Sequence, residues 1–248
     1  MDSKVRLHVA QATALGQSVE VTRDQAHYLS GVMRLSAGDT LTVFDGHNGA
    51  WRARIDSLSK RGGALVCEEQ TAPQRNPPDL WLCFAPIKKA RTDFIVEKAT
   101  ELGAARICPV STQYTNSDRI RRDRLQAHAV EAAEQCGSTF VPDVADLTPL
   151  DRLLADWPEE RALIFCDEAL SDDPSWSDGT NGQGAPALPP MPAAILIGPE
   201  GGFSPQERTR LRALPFAHPI ALGPRILRAD TAAVAALTLW QAARGDWT

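Results

Sequence analysis

Apolar and polar residues follow two different rhythms along this chain, and the change falls near residue 72. Before it, Trp51, Ala53 and Ile55 alternate with Arg52 and Arg54, the period of a strand in a sheet with one wet face. A second run, Leu41-Thr42-Val43-Phe44, is joined to it by Asp45-Gly46-His47-Asn48-Gly49, a loop of hairpin composition. Residues 64–68 predict a further short strand. A helix capped by Asp24 is predicted to carry Leu29, Val32 and Met33 and to end near Ala37-Gly38-Asp39. Short strands with one helix in so few residues predict a small β-barrel. The stretch 70–79, with Pro73, Pro77 and Pro78, reads as a linker, which divides the chain into 1–72 and 73–248.

Beyond the linker, continuous apolar runs alternate with helical periods. Strands are predicted at 80–84, 105–110, 162–166, 193–197 and 219–222. A helix from about Lys88 to Leu102 puts Phe94, Ile95, Ala99 and Leu102 on one face and closes at Gly103. Another, from about Asp118 to Cys136, has Leu125, Ala129, Ala132 and Cys136 as its stripe. Thr148-Pro149-Leu150-Asp151 starts a third with a cap and a proline in its first turn. Ser204-Pro205-Gln206-Glu207 is a capping box, and the last helix runs from about Asp230 to Ala243. The Gly/Pro/Ser/Asp-rich stretch 171–192 predicts a mobile loop. Alternating strand and helix imply an α/β fold with a mainly parallel sheet covered on both faces.

Charge and cysteine usage narrow the picture. The formal net charge of −5 gives no global basic signal for nucleic acid, although a basic patch on one face remains compatible with it. Five widely spaced cysteines (Cys67, Cys83, Cys108, Cys136 and Cys166) show no CxxC or Cys/His spacing, so free thiols in a reducing cytoplasm are expected, and no metal. The first residues lack the apolar core of a signal peptide, and the longest apolar stretch, 232–240, is too short to span a bilayer. No membrane association is expected. His27, His128 and Trp240 are expected to pack in the core or at an interface.

The chemistry concentrates in two glycine turns, Gly198-Pro199-Glu200-Gly201-Gly202 and Leu222-Gly223-Pro224-Arg225-Ile226-Leu227-Arg228. Each follows a buried strand and precedes a helix. Glycines there either supply positive φ to the turn or let a ligand approach the backbone. Two such junctions at the carboxyl edge of one sheet can form a pocket, where open α/β folds bind ligands. Neither turn has the spacing of a P-loop or a dinucleotide fingerprint. Glu200 would repel a pyrophosphate, so a ligand positive or neutral at that point fits better, such as S-adenosylmethionine with its sulfonium. Leu222, Ile226 and Leu227 with their loop amides suit an adenine.

Ile197-Gly198-Pro199-Glu200-Gly201-Gly202-Phe203-Ser204, the Leu222–Arg228 loop and the Asp230-Thr231-Ala232 that follows resemble the RsmE family of 16S ribosomal RNA (uracil-N3) methyltransferases, within the SPOUT superfamily. Lys98-Ala99-Thr100-Glu101-Leu102-Gly103, Glu131-Ala132-Ala133-Glu134-Gln135, Val32-Met33-Arg34 and Gly38-Asp39 extend the resemblance over essentially the whole chain. It departs from the family pattern at Ser138, where relatives carry arginine, and at Asp230, where they carry glutamate. The resemblance implies a PUA-like barrel at 1–72 that binds RNA, a SPOUT methyltransferase domain at 73–248 with a trefoil-knotted parallel sheet, a homodimer, and 16S ribosomal RNA, within the small subunit, as partner. It also implies a donor pocket made by the region after the 162–166 strand together with Ile197, Gly198, Glu200, Gly201, Gly202, Leu222, Gly223, Ile226 and Leu227.

Uracil N3 carries a proton, so methylation there needs that proton removed or the resulting anion stabilised. The guanidinium groups of Arg225 and Arg228 suit the anion, unless they pair with Glu200 or Asp230 instead. Glu200 serves as base or, the preferred reading, as holder of a donor-loop amide. For RNA contact, Arg6, Arg34, Arg52 and Arg54 are expected on the barrel, and Lys88 and Arg91, with Lys89, at the start of the first helix after the linker. Arg119, Arg121, Arg122 and Arg124 form a denser cluster, for which a solvated helix face is the preferred reading over RNA contact. Two other functions stay open: methylation of a ribose 2′-oxygen or another base, and a non-catalytic ribosomal RNA-binding factor.

Overall fold

The computed structural model describes residues 5–117, 119–172 and 188–247, in two compact units. The first comprises Met1–Asn76 and Val130–Val141, and the second comprises Pro77–Ala129 and Pro142–Thr248. Most of the loop predicted at 171–192, and Asp118 at the predicted start of the second long helix, lie outside the described residues.

The first unit is built on a five-stranded sheet. Its strands are β1 (Arg6–His8), β2 (Ser18–Val21), β3 (Thr40–Phe44), β4 (Ala50–Ser59) and β5 (Gly62–Ala72), in the order β1-β3-β4-β5-β2. Alternate residues point inward: Leu41 and Val43, Ala53 and Ile55, Leu65 and Cys67 form one core with Val19, Val21 and Leu7. Three register shifts between β4 and β5 bend this long pair around that core. Helix α1 (Arg23–His27) is capped by Thr22, in a capping box with Gln25, and not by Asp24. The helix then widens into one π turn, Tyr28–Val32. Only Ala26 and Leu29 of this segment are buried; Val32 and Met33 are exposed, as is His27. The anticipated stripe failed because the π turn breaks the 3.6-residue period on which it depended.

The second unit holds a parallel sheet. Strands β6 (Leu80–Phe84), β7 (Arg106–Ser111), β8 (Asp143–Val144), β9 (Thr148–Pro149), β10 (Ala162–Cys166), β11 (Ala193–Ile197) and β12 (Ala217–Ile220) run in the order β12-β10-β11-β6-β7-β8, with β9 also pairing β7. Every pairing is parallel. All five residues of β11 are buried, which is why its sequence is continuously apolar and does not alternate. One face of the sheet packs with Trp157, Leu150 and Leu154 from the segment around α4 (Leu150–Ala155) and with Phe203 and Leu211. Helices α2 (Lys89–Glu101) and α6 (Ala229–Arg244) pack together, and α6 also lies on β11. Trp240, fully buried, donates its indole N–H to the Pro189 carbonyl at 3.1 Å.

Several element starts differ from expectation. Helix α3 (Arg122–Cys136) begins four residues later than the charge-rich sequence suggested. Its stripe is buried at Leu125, Ala129 and Ala132, while Cys136 is exposed. Phe94 on α2 is 38% exposed, and Ile95, Val96 and Ala99 carry the buried face. Thr148 does not cap α4: it pairs with Val110 in the sheet, and Pro149 stands at the cap position without a side-chain bond. Among the described residues, no helix is long and apolar enough to cross a membrane.

Candidate active site at three strand ends

Strands β10, β11 and β12 are neighbours in the sheet, and the loops leaving their carboxyl ends converge on a cavity of about 430 Å3. Strand β11 is inserted between β10, the strand before it in the chain, and β6, laid down much earlier, so the order of the sheet breaks there. Such a break is where open α/β sheets hold ligands.

The β11 loop is anchored on both sides. Phe203 folds back against Gly198 and stacks edge-on with Phe165, ring centroids 4.9 Å apart. Ser204 and Glu207 complete the capping box that launches α5 (Pro205–Ala213). Gly202 has φ +69°, and a Cβ there would fall onto the Glu168 carboxylate. The turn therefore requires glycine at 202 for its conformation, and a Cβ there would also displace the end of the Glu168 side chain. Gly201, by contrast, is not left-handed and faces Tyr114, outside the cavity lining.

Of the anticipated donor-pocket residues, Ile197, Gly198, Glu200, Gly202, Leu222, Ile226 and Leu227 line the cavity, and so do Arg225 and Arg228. Gly223, with φ +89°, belongs to the same loop but stands back from the cavity. The main-chain amides of Leu222 and Leu227 donate to no acceptor among the described residues. An apolar wall with unspent amides suits a flat heteroaromatic ring.

The charges of the site are sorted by one arginine. Arg91 Nη1 lies 3.2 Å from Glu200 Oε1, and Arg91 Nε lies 3.7 Å from Asp230 Oδ2. Glu200 and Asp230 therefore pair with Arg91, and the guanidinium groups of Arg225 and Arg228 have no ion pair or hydrogen bond among the described residues. Both are exposed at the cavity.

The resemblance placed the region after the 162–166 strand in the pocket without naming its residues. Cys166, the last residue of β10, and Asp167 and Glu168 directly after it line the cavity. The Asp167 side chain is fully buried, accepting from Arg212 Nε at 2.9 Å with Arg208 Nε 3.3 Å away, and Glu168 pairs with Arg208. An acidic dipeptide ending a buried strand, and arginines four apart on α5, were the available signal. Burial pushes the Cys166 thiol up to about 12, so it stays protonated and is no nucleophile near neutral pH.

The cations anticipated for RNA contact fall into three groups. Arg6 is half-buried: its guanidinium donates to the Ser138 carbonyl at 2.8 Å and lies over the Phe44 ring. Arg52 pairs with Glu69 at 2.8 Å and Arg54 with Glu68 at 2.9 Å, so their charges are locally matched. Arg34, at φ +57°, and Lys88, on the cavity wall, are exposed and pair with no carboxylate among the described residues.

A family model described as an RNA methyltransferase domain matches residues 74–241, and one described as an RNA methyltransferase PUA domain matches residues 21–66. A parallel α/β unit with a cavity at its switch point, following a PUA domain, is the architecture of an RNA methyltransferase. The chain is 33% identical to ribosomal RNA small subunit methyltransferase E of Synechocystis, over 94% of this chain and 75% of that one. It is 27% identical to the protein of the same name from Rickettsia conorii, over 94% and 93%. Among solved structures, ribosomal RNA small subunit methyltransferase E from Neisseria gonorrhoeae, bound to S-adenosylmethionine, superposes with a TM-score of 0.83 at 27% identity, covering 98% of this chain and 99% of that one. A Legionella pneumophila chain solved with the cofactor SAM gives 0.81 at 30% identity, covering 98% of both. The chain belongs to the ribosomal RNA small subunit methyltransferase E family of RNA methyltransferases.

Proposed function

We propose that this enzyme transfers a methyl group from S-adenosylmethionine to N3 of one uridine in small-subunit ribosomal RNA. The observation that carries the reading is the composition of the cavity: apolar walls, main-chain amides and two guanidinium groups that have no partner among the described residues. At about 430 Å3 it has the size of a small-ligand site. Leu222 and Leu227 suit the adenine, and the carboxylates of Glu168 and Glu200 suit the cationic part of the donor. When bound, the donor supplies an electrophilic methyl on a sulfonium.

The chain's own residues then have three tasks. Glu200, held by Arg91, keeps the β11 loop in place and acts as a holder. Arg225 and Arg228 stabilise the negative charge that develops on uracil O2 or O4 as the N3 proton passes to water, while the donor's sulfonium becomes a neutral thioether on loss of its methyl. Because N3 lies on the Watson–Crick edge, the base must be unpaired when it enters. The protonated Cys166 thiol argues against methylation at uracil C5, where a thiolate would have to add to the ring.

The knotted path of the sheet, the homodimer and work in the cytoplasm belong to the same proposal. Phe94 on α2 and Leu239 on α6, 38% and 37% exposed on two helices that pack together, favour a partner copy there. Two measurements test the function. Calorimetry should give saturable binding of S-adenosylmethionine. Nucleoside mass spectrometry of small-subunit ribosomal RNA treated with enzyme and donor should yield 3-methyluridine. A 2′-O-methylated nucleoside in its place would overturn the proposed target atom.

A further inference from the structure

The donor cavity continues into a longer groove. A hollow of about 270 Å3 shares Lys88, Pro199 and Glu200 with it. A third, of about 310 Å3, shares Pro86, Ile87, Lys89 and Ser117 with the second. The three form one track that leaves the site past the start of α2 and reaches the start of α3.

The far end of this track has two kinds of wall. Ile87, Ile120 and Leu125 are apolar, and Lys89, Arg119, Arg121 and Arg124 are cationic. Arg124 is tied to Asp93, and Arg121 pairs with Asp123 at 2.9 Å. Lys89 and Arg119 pair with no carboxylate among the described residues, so their charge faces the groove unspent. In a chain of net charge −5, that is a local excess of positive charge beside the reaction site.

The start of α2 adds an independent observation. Lys88, at the cap position, makes no side-chain cap bond, and the first turn contains no acidic residue. The main-chain amides of Lys89 and Ala90 have no acceptor among the described residues. Lysines at the positive end of a helix oppose its dipole, and a helix start shaped for stability alone carries Asp, Ser or Thr. An anion seated there satisfies both the amides and the lysines.

We propose that this groove is the path of the RNA strand across the catalytic unit. A phosphate adjoining the methylated nucleotide sits at the α2 N-terminus beside Lys88 and Lys89. The next phosphate meets Arg119, with its sugar and base against the partly exposed Ile120. The ligand must alternate anionic and flat apolar parts over three connected hollows, which a single-stranded polynucleotide does and a free nucleotide does not. This inference rests on the proposed function, because it takes the nucleotide in the donor cavity to be part of an RNA chain.

The test uses the full-length enzyme with Lys89→Glu, Arg119→Glu and the double variant, backed by Lys89→Gln and Arg119→Gln. Thermal melts confirm folding, and calorimetry with S-adenosylmethionine confirms an intact donor site. Affinity for small-subunit ribosomal RNA is measured against salt concentration, together with KM and kcat for methyl transfer. The double reversal should weaken RNA binding about tenfold or more, raise KM more than it lowers kcat, and reduce the slope of log K against log salt by about one per lost phosphate contact. Affinity and slope equal to those of the unaltered enzyme would overturn the groove assignment. Absence of methyl transfer by the unaltered enzyme would instead overturn the underlying function, so the two failures are distinguishable.

Discussion

Arg91 Nη1 stands 3.2 Å from Glu200 Oε1, joining the first turn of α2 to the loop that follows β11. The same side chain reaches Asp230 at the start of α6, so one arginine spans three elements around the donor cavity. The pair is partly exposed, and removing it should change global stability by no more than about 1 kcal/mol. Its effect should be local. Arg91→Ala is expected to weaken S-adenosylmethionine binding roughly tenfold by freeing the Glu200 loop, with Arg91→Lys intermediate. Calorimetry beside a thermal melt reads both quantities. Unchanged donor affinity in the alanine variant would remove Arg91 from the site.

Gly202 gives a sharper contrast. Alanine there meets φ +69° and places its methyl on the Glu168 carboxylate, which Arg208 holds. Left-handed strain costs about 1 kcal/mol, and the collision adds only the smaller cost of moving the end of the Glu168 side chain away from Arg208, a partly exposed pair worth at most about 1 kcal/mol. Gly223→Ala meets only the strain, since its φ is +89° and nothing lies within 4 Å of the added carbon. Chemical denaturation should therefore show Gly202→Ala about 1–2 kcal/mol less stable, and Gly223→Ala about 1 kcal/mol. Equal losses would contradict the packing argument.

Acid should weaken the first unit through Asp45. Burial pushes this carboxyl up, but hydrogen bonds from the Asn48 side chain and from the amides of Asn48, His47 and Thr13 outweigh it and leave it at about 2. The unfolded chain takes up a proton near the ordinary value of about 4, while the folded chain stays ionised until about pH 2. Stability from this group is full above pH 4 and is lost as the pH falls toward 2. It amounts to about 1–2 kcal/mol after allowance for screening. Asp45→Asn should flatten that part of the pH–stability curve, measured by urea unfolding between pH 5 and 2.5. An unaltered slope would mean the carboxylate contributes nothing.

The central strands were legible because burial on both faces leaves a continuous apolar run: β6, β10 and β11, buried along most or all of their length, have the expected ends. Ser204 and Glu207 were legible for a local reason, since a capping box is complete within four residues. The start of α3 was not, because a run of alternating charges has no apolar period to mark where a helix begins. Within the site, the two glycine loops announced the cavity, but its electrostatics depend on partners distant in sequence. Glu200 meets Arg91 across 109 positions, and buried Asp167 is neutralised by arginines from α5, 45 positions away for Arg212. No local pattern encodes such pairings; they follow from the order in which the sheet is laid down.

That order also decides which cations remain for chemistry. With Arg91 occupying Glu200 and Asp230, Arg225 and Arg228 are left exposed at the cavity without acidic partners among the described residues. Side chains so placed contribute little to folding, so Arg228→Ala should alter stability by less than about 0.5 kcal/mol. Donor affinity should stay within about threefold, because the apolar wall and free amides of Leu222 and Leu227 are untouched. Methyl transfer should fall by about 100- to 1000-fold, the usual loss when one stabiliser of developing negative charge is removed. Arg225→Ala should show a smaller loss, and lysine at 228 should restore part of the rate as a point charge without the planar fork. Single-turnover kinetics at saturating donor separate this from an effect on binding. Near-normal turnover by Arg228→Ala would place the anion-stabilising charge elsewhere in the cavity, with Lys88 the next residue to test.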